Sequence, residues 1–82
     1  MTKEQIFEVV RGKIKEILLD VPDEDIVMDS NLEELGANSV DRADIVTECM
    51  QALHLDLSPK IVAGAKDVGS LVTLFHQSGA RV

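Results

Sequence analysis

The apolar residues of the first twenty positions fall on one side of a helix. Ile6, Val10, Ile14, Ile17, Leu18 and Val21 recur at three- and four-residue spacing, with Phe7 at the edge of the stripe. Arg11, Lys15 and Glu16 lie off it. Nowhere does the chain carry the apolar–polar alternation of a strand, an internal repeat or a low-complexity segment. An all-α fold follows, in which each helix buries one stripe against the others. The aromatic residues are Phe7 and Phe75 alone, so that core is aliphatic, with Met28 and Met50 as adaptable filler. With 82 residues, one domain over 1–82 is expected, and a domain so small buries only about 60% of its unfolded surface.

Capping signals divide the chain. Thr2 and Gln5 have the form of a capping box at the start of the first helix, and Pro22 within the acidic run "DVPDED" ends it. A long connection follows, to about Asn38, with Ile26, Met28, Leu32 and Leu35 placed to pin it to the core. Inside it "SNLEELG" reads as one helical turn, with Ser30 and Glu33 as a capping box and Gly36 at the terminating position. The second helix is expected from about Ser39 to Leu53. Its apolar face carries Ile45, Val46, Cys49, Met50, Ala52 and Leu53; Arg42 projects toward that side with its head group in reach of water. Ser58 and Pro59 suit the N-cap and first position of a short helix limited by Gly64. Asp67 can cap a last helix bearing Val68, Leu71, Val72, Leu74 and Phe75, and a loose tail is expected from about residue 77. The sum is a bundle of three main helices plus a short one, with a long first loop. Ile14, Ile17, Ile45, Cys49, Leu71 and Phe75 are expected inside.

The net charge of −7 and a pI near 4.6 argue against nucleic acid and anionic membrane surfaces as partners, and favour basic protein surfaces. No apolar run approaches the roughly 20 residues of a membrane span, and the N-terminus lacks the features of a signal peptide. One cysteine allows no internal disulfide. A cytoplasmic monomer is the expectation.

Few residues have the spacing of a chemical site. His54 and His76 lie on different elements, and no Cys/His pattern suits zinc. The acidic run "DVPDEDIVMDSN" lacks the glycine and final glutamate of an EF-hand loop, so no metal is expected. Cys49 lies on an apolar face, as an inert buried thiol does. Ser39 has no nucleophile elbow, and His54 is about four turns away along the same helix. No catalytic residue is therefore assigned. Ser39 can cap the second helix. Asn38 can do so equally well, placing Asp41 in the third helical position and leaving Ser39 exposed beside free N–H groups, a setting suited to a phosphate diester. Val40 then stands exposed beside Asp41, Asp44 and Glu48, as part of a contact patch. On these residues alone, capping and modification are both open.

The length, the acidity, the helical pattern and "LGANSVDRADIV" at the opening of the second helix resemble an acyl carrier protein over nearly the whole chain. In that family the serine of a G-x-D-S-L motif carries 4′-phosphopantetheine through a phosphodiester, and the matching residues are Gly36, Ala37, Asn38, Ser39 and Val40. The resemblance implies that Ser39 is loaded by a phosphopantetheinyl transferase, and that the useful thiol sits at the end of the arm. Asn38 replaces the family's aspartate, which is associated with the transferase's metal-bound complex, and Val40 replaces its leucine. "GANSVDRADI" together with "AGAKDVGSL" further resembles the free-standing donor carriers of polyketide β-branching. Those present an acetyl thioester to a homologue of hydroxymethylglutaryl-CoA synthase. An acyl-loading or decarboxylating ketosynthase-like enzyme would supply the unit. Val40, Asp41, Arg42, Asp44, Thr47 and Glu48 would form the face that partners read, with Gly64 and Gly69 allowing close backbone approach. A general polyketide or fatty-acid chain carrier is the runner-up, and an unmodified helical interaction module the alternative of another class.

Overall fold

Thr2 caps the first helix as its sequence predicts: its hydroxyl accepts the Gln5 N–H at 3.1 Å, and the Gln5 side chain accepts the Thr2 N–H at 2.9 Å. In the computed structural model, which describes residues 1–80, helix α1 spans Lys3–Ile17 and is followed by a 3₁₀ turn at Asp23–Asp25. Helix α2 spans Ser39–Ala52, α3 Pro59–Ala63 and α4 Val68–Gln77. This is the all-α arrangement of three main helices and one short helix. Among the described residues there is no strand, only an isolated bridge between Asn31 and Asp67.

Helix α1 packs against both α2 and α4. Ile6, Val10 and Ile14 face Ile45, Cys49 and Leu53 from α2 and its end, and Val68, Leu71, Val72 and Phe75 from α4; all of these are fully buried. No polar side chain is buried among the described residues, so the core rests on apolar burial alone. Ile17 departs from expectation. It is half-buried because it is the last helical residue, where the chain leaves the bundle. The helix also stops three residues short of Asp20, with Leu18 as its cap.

The long loop between α1 and α2 is held by backbone hydrogen bonds as well as by buried side chains. Ile26 and Leu32 are buried as anticipated, but the Met28 side chain is exposed. Its carbonyl instead accepts the Gly69 N–H at 2.7 Å, and the Ser30 carbonyl accepts the Val68 N–H at 2.8 Å. The expected Ser30–Glu33 capping box does not form. The Ser30 hydroxyl turns back to donate to the Asp25 carbonyl and to accept the Val27 N–H, while the Asn31 side chain accepts the Glu33 N–H. At the loop's start Lys15 pairs with Asp23 and holds its carboxyl below the ordinary value of 3.8. The expected loose tail is also anchored at its near end. Gln77 is helical, Gly79 adopts φ +84°, and the Ala80 N–H donates to the Phe75 carbonyl at 3.0 Å with Ala80 buried. Residues 81 and 82 lie outside the described residues.

Gly69 has a different role from the partner approach expected of it. A Cβ there would meet the Met28 carbonyl oxygen at 2.9 Å, so the close approach is to the protein's own loop. Gly12, in the middle of α1, has open space around its Cβ position. The two glycines should respond oppositely to alanine. Gly12→Ala is expected to raise stability by about 0.5–1 kcal/mol, because the unfolded chain loses freedom. Gly69→Ala is expected to lose about 1–3 kcal/mol from the backbone collision. Denaturant midpoints of the two variants check the sign; a gain in both would mean that the loop yields freely at Met28.

Candidate functional site

Three consecutive residues aim Ser39. Gly36 takes φ +104°, a conformation that costs other residues, and turns the chain toward α2. Ala37 is buried, and its N–H donates to the Leu32 carbonyl at 3.0 Å. Asn38 then caps α2. Its side-chain oxygen accepts the Asp41 N–H at 2.8 Å, and the Asp41 carboxylate accepts the Asn38 N–H at 3.3 Å. The cap is thus Asn38, which resolves the alternative that Ser39 serves as one. Ser39 is the first residue of α2 and is exposed. The first-turn N–H groups of Ser39 and Val40 precede the first intrahelical bond, which runs from the Arg42 N–H to the Asn38 carbonyl at 2.9 Å. Unbonded donors and the positive end of the helix dipole suit a phosphodiester on the Ser39 oxygen.

Beside Ser39 lies a cavity of about 310 Å³ between α2 and α3. Ser39, Arg42, Ala43, Val46, Thr47 and Met50 line it from α2. Leu32, Pro59, Val62, Ala63 and Ala65 complete it. Sequence reasoning made no expectation of a cavity. The signal that was available is the set of small lining residues, Ala43 on α2, Ala63 at the end of α3 and Ala65 just beyond it. With these small side chains, and with Val46, Met50 and Val62 also in the lining, the opening is mainly apolar in character.

The six residues expected to face partners divide into groups. Val40, Asp44 and Thr47 are exposed, and with half-buried Glu48 they follow the three- and four-residue spacing of one helix face. Asp41 is half-buried and occupied with the cap. Arg42 is half-buried at the cavity. Gly64 sits at the end of α3 with its Cβ position 3.7 Å from the Ile61 carbonyl, an ordinary contact.

Burial pushes the Cys49 thiol up to about 12, so it is a neutral, enclosed thiol at neutral pH. Apo protein is therefore expected to show no fast reaction with a thiol reagent under native conditions, and protein bearing one arm to show one fast equivalent. Reaction of apo protein at the rate of free cysteine would mean that Cys49 is accessible. The same shift carries a stability consequence. Above the ordinary value of 9.0 the unfolded chain loses the Cys49 proton while the folded chain keeps it, so stability should fall as pH rises through that range.

The family profile described as "Phosphopantetheine attachment site" matches residues 8–75. The chain is also 36% identical over 76 residues to "Polyketide biosynthesis acyl-carrier-protein AcpK" of Bacillus subtilis (strain 168), an alignment covering 93% of each chain.

Proposed function

The chain belongs to the phosphopantetheine attachment-site family, the acyl carrier proteins, and from that premise we propose that Ser39 is the residue that carries the arm. It is a carrier acted on by a phosphopantetheinyl transferase and by biosynthetic enzymes, and it does no chemistry itself. The observation that carries the assignment to Ser39 is the Asn38 cap, which leaves the next hydroxyl exposed and uncommitted at the head of a fourteen-residue helix. The other four serines are worse placed. Ser30 is tied within the loop, and Ser58 caps five-residue α3. Ser70 lies against the Asp67 carboxylate, which it holds below the ordinary value. Ser78 stands at the C-terminal end of α4, where the dipole disfavours an anion. The arm supplies the thiol that holds an acyl group as a thioester. The protein supplies the oxygen that bears the phosphodiester, a helix end that favours its charge, and a surface by which partners find it.

The pathway in this reading is polyketide biosynthesis, supported by the similarity to AcpK. The acyl unit is acetyl, presented to a homologue of hydroxymethylglutaryl-CoA synthase for β-branching and supplied by an acyl-loading or decarboxylating ketosynthase-like enzyme. Support comes from the two donor-like segments, "GANSVDRADI" and "AGAKDVGSL", which flank one cavity through Ser39, Ala63 and Ala65. The partner face in this reading is Val40, Asp44, Thr47 and Glu48. Val40 supplies an apolar knob that is 67% exposed, set among acids. Discrimination by such a surface needs only a few kcal/mol, since about 1.4 kcal/mol is tenfold. The test is a competition in which acetyl is loaded on this protein and on an ordinary chain-elongating carrier, and both are offered to the synthase homologue. Preferential transfer from this protein is expected. Val40→Asp should weaken it at any salt concentration, and Asp44→Lys chiefly at low salt, because exposed charges are screened. Equal transfer from both carriers would leave the general chain carrier as the better reading.

A further inference from the structure

In a chain with fifteen Asp and Glu residues, Arg42 stands out among the described residues as a half-buried cation that forms no ion pair. Between Glu16 and Pro59 the sequence holds one Lys or Arg, Arg42, while ten acids lie from Asp20 to Glu48. The ion pairs among the described residues are Arg11–Glu8, Lys13–Glu16 and Lys15–Asp23, all involving α1. Arg42 belongs to none of them. It is nonetheless half-buried and is among the residues that line the cavity beside Ser39. Its helix-surface neighbours three and four residues away are Asn38, Ser39, Ile45 and Val46, none of them charged, whereas a guanidinium makes its strongest hydrogen bonds to an anion. The adjacent carboxylate does not serve, because Asp41 is turned back to the Asn38 N–H. Position 38 itself carries a neutral amide rather than a charge. Residues three apart on a helix are neighbours on its surface, so Arg42 lies on the side of α2 where the Ser39 hydroxyl emerges.

We propose that Arg42 is a positioning residue for the arm: its guanidinium pairs with the phosphodiester on Ser39 and fixes the direction in which the arm leaves the protein. The proposal rests on Ser39 being the loaded residue. A phosphodiester is a monoanion at neutral pH with two unesterified oxygens, and a guanidinium can donate to both through its planar fork. The first-turn N–H groups approach that phosphate along the helix axis, and Arg42 approaches it from the cavity side. Held between them, the phosphate loses rotational freedom, and the arm starts along the α2–α3 opening rather than at random. Lysine would keep the charge but lose the fork, so it should restore the attraction and only part of the orientation.

Intact mass first establishes that the preparation is loaded; failure at that step counts against Ser39 as the site and says nothing of Arg42. On loaded protein the readouts are the ¹⁵N resonance of the Arg42 Nε–H, compared between apo and holo wild type, and the ³¹P resonance of the phosphodiester. The expected result is a shift of the Nε–H signal on loading. The ³¹P line should be broader in wild type than in Arg42→Gln, with Arg42→Lys between them. High salt should move the wild-type ³¹P signal toward that of Arg42→Gln. An Nε–H signal unchanged on loading overturns the proposal, and so does a ³¹P line identical in wild type and Arg42→Gln. Should Arg42→Gln fail to fold, the apo-to-holo comparison on wild-type protein decides by itself.

Discussion

Ser39→Ala is expected to fold as the wild type does and to gain no arm when incubated with a broad-specificity phosphopantetheinyl transferase and its donor. The effect on loading is all or none, because the substitution removes the oxygen through which the phosphodiester would be made. Stability should stay within about 0.5 kcal/mol, the usual range for an exposed position away from special features. The reason lies in the division of labour at the head of α2. Asn38 and Asp41 exchange the capping hydrogen bonds, so the Ser39 side chain is not needed for the helix to start. Intact mass and a thermal melt on the same sample check both halves. A variant that unfolds would give Ser39 a structural part, and a variant that still gains the arm would move the site to another residue.

Phe75→Ala is expected to have the largest effect on stability, a loss of about 3–5 kcal/mol. Phe75 is the bulkiest of the fully buried side chains and one of two aromatic residues in the chain. It lies on the inner face of α4 in a core whose other members are aliphatic side chains and Cys49, so its removal leaves the largest cavity a single truncation there can make. Its carbonyl also receives the Ala80 N–H, so the helix end is attached to the same position. Small domains hold about 5–15 kcal/mol in all, and such a loss would bring this one near its unfolding threshold. Phe7 offers the contrast. It is half-buried with the Arg11 guanidinium 5.7 Å from its ring centre, and its replacement should cost less. Urea or guanidinium unfolding of the two variants measures the difference. Equal and small losses would show that α4 contributes little to the core.

What the sequence made legible was mostly local. Thr2 with Gln5, Asn38 with Asp41, Ser58 before Pro59, and Asp67 each announce a helix start through groups within three residues, and each does so in the structure. The buried stripe of α4 was legible for the same reason, since a helix repeats its face regularly. The loop from Leu18 to Asn38 was legible only in part: Ile26 and Leu32 are buried and Gly36 takes a positive φ as their places in the sequence predict. Ser30 and Glu33 match a capping box, but Ser30 bonds backward to Asp25 and Val27, and the Ser30 and Met28 carbonyls are claimed by Val68 and Gly69 some forty residues away. A pattern read over three residues has no access to those partners. Ile17 failed for a related reason: its spacing is right, but its exposure depends on where the chain leaves α1. At the candidate site, Ser39 and the outward Val40–Asp44–Thr47 face follow from helix phase. The cavity depends on where α3 comes to rest, which no local signal fixes.

The central claim, that Ser39 carries the arm, is tested most directly by fragmenting the loaded protein in a mass spectrometer and locating the phosphopantetheine along the chain. The account predicts one arm per chain on the peptide that contains "GANSV", with fragment ions assigning it to Ser39 and leaving Ser30, Ser58, Ser70 and Ser78 unmodified. An arm on any of those four serines, or a chain that takes up none in the presence of active transferase, would contradict it.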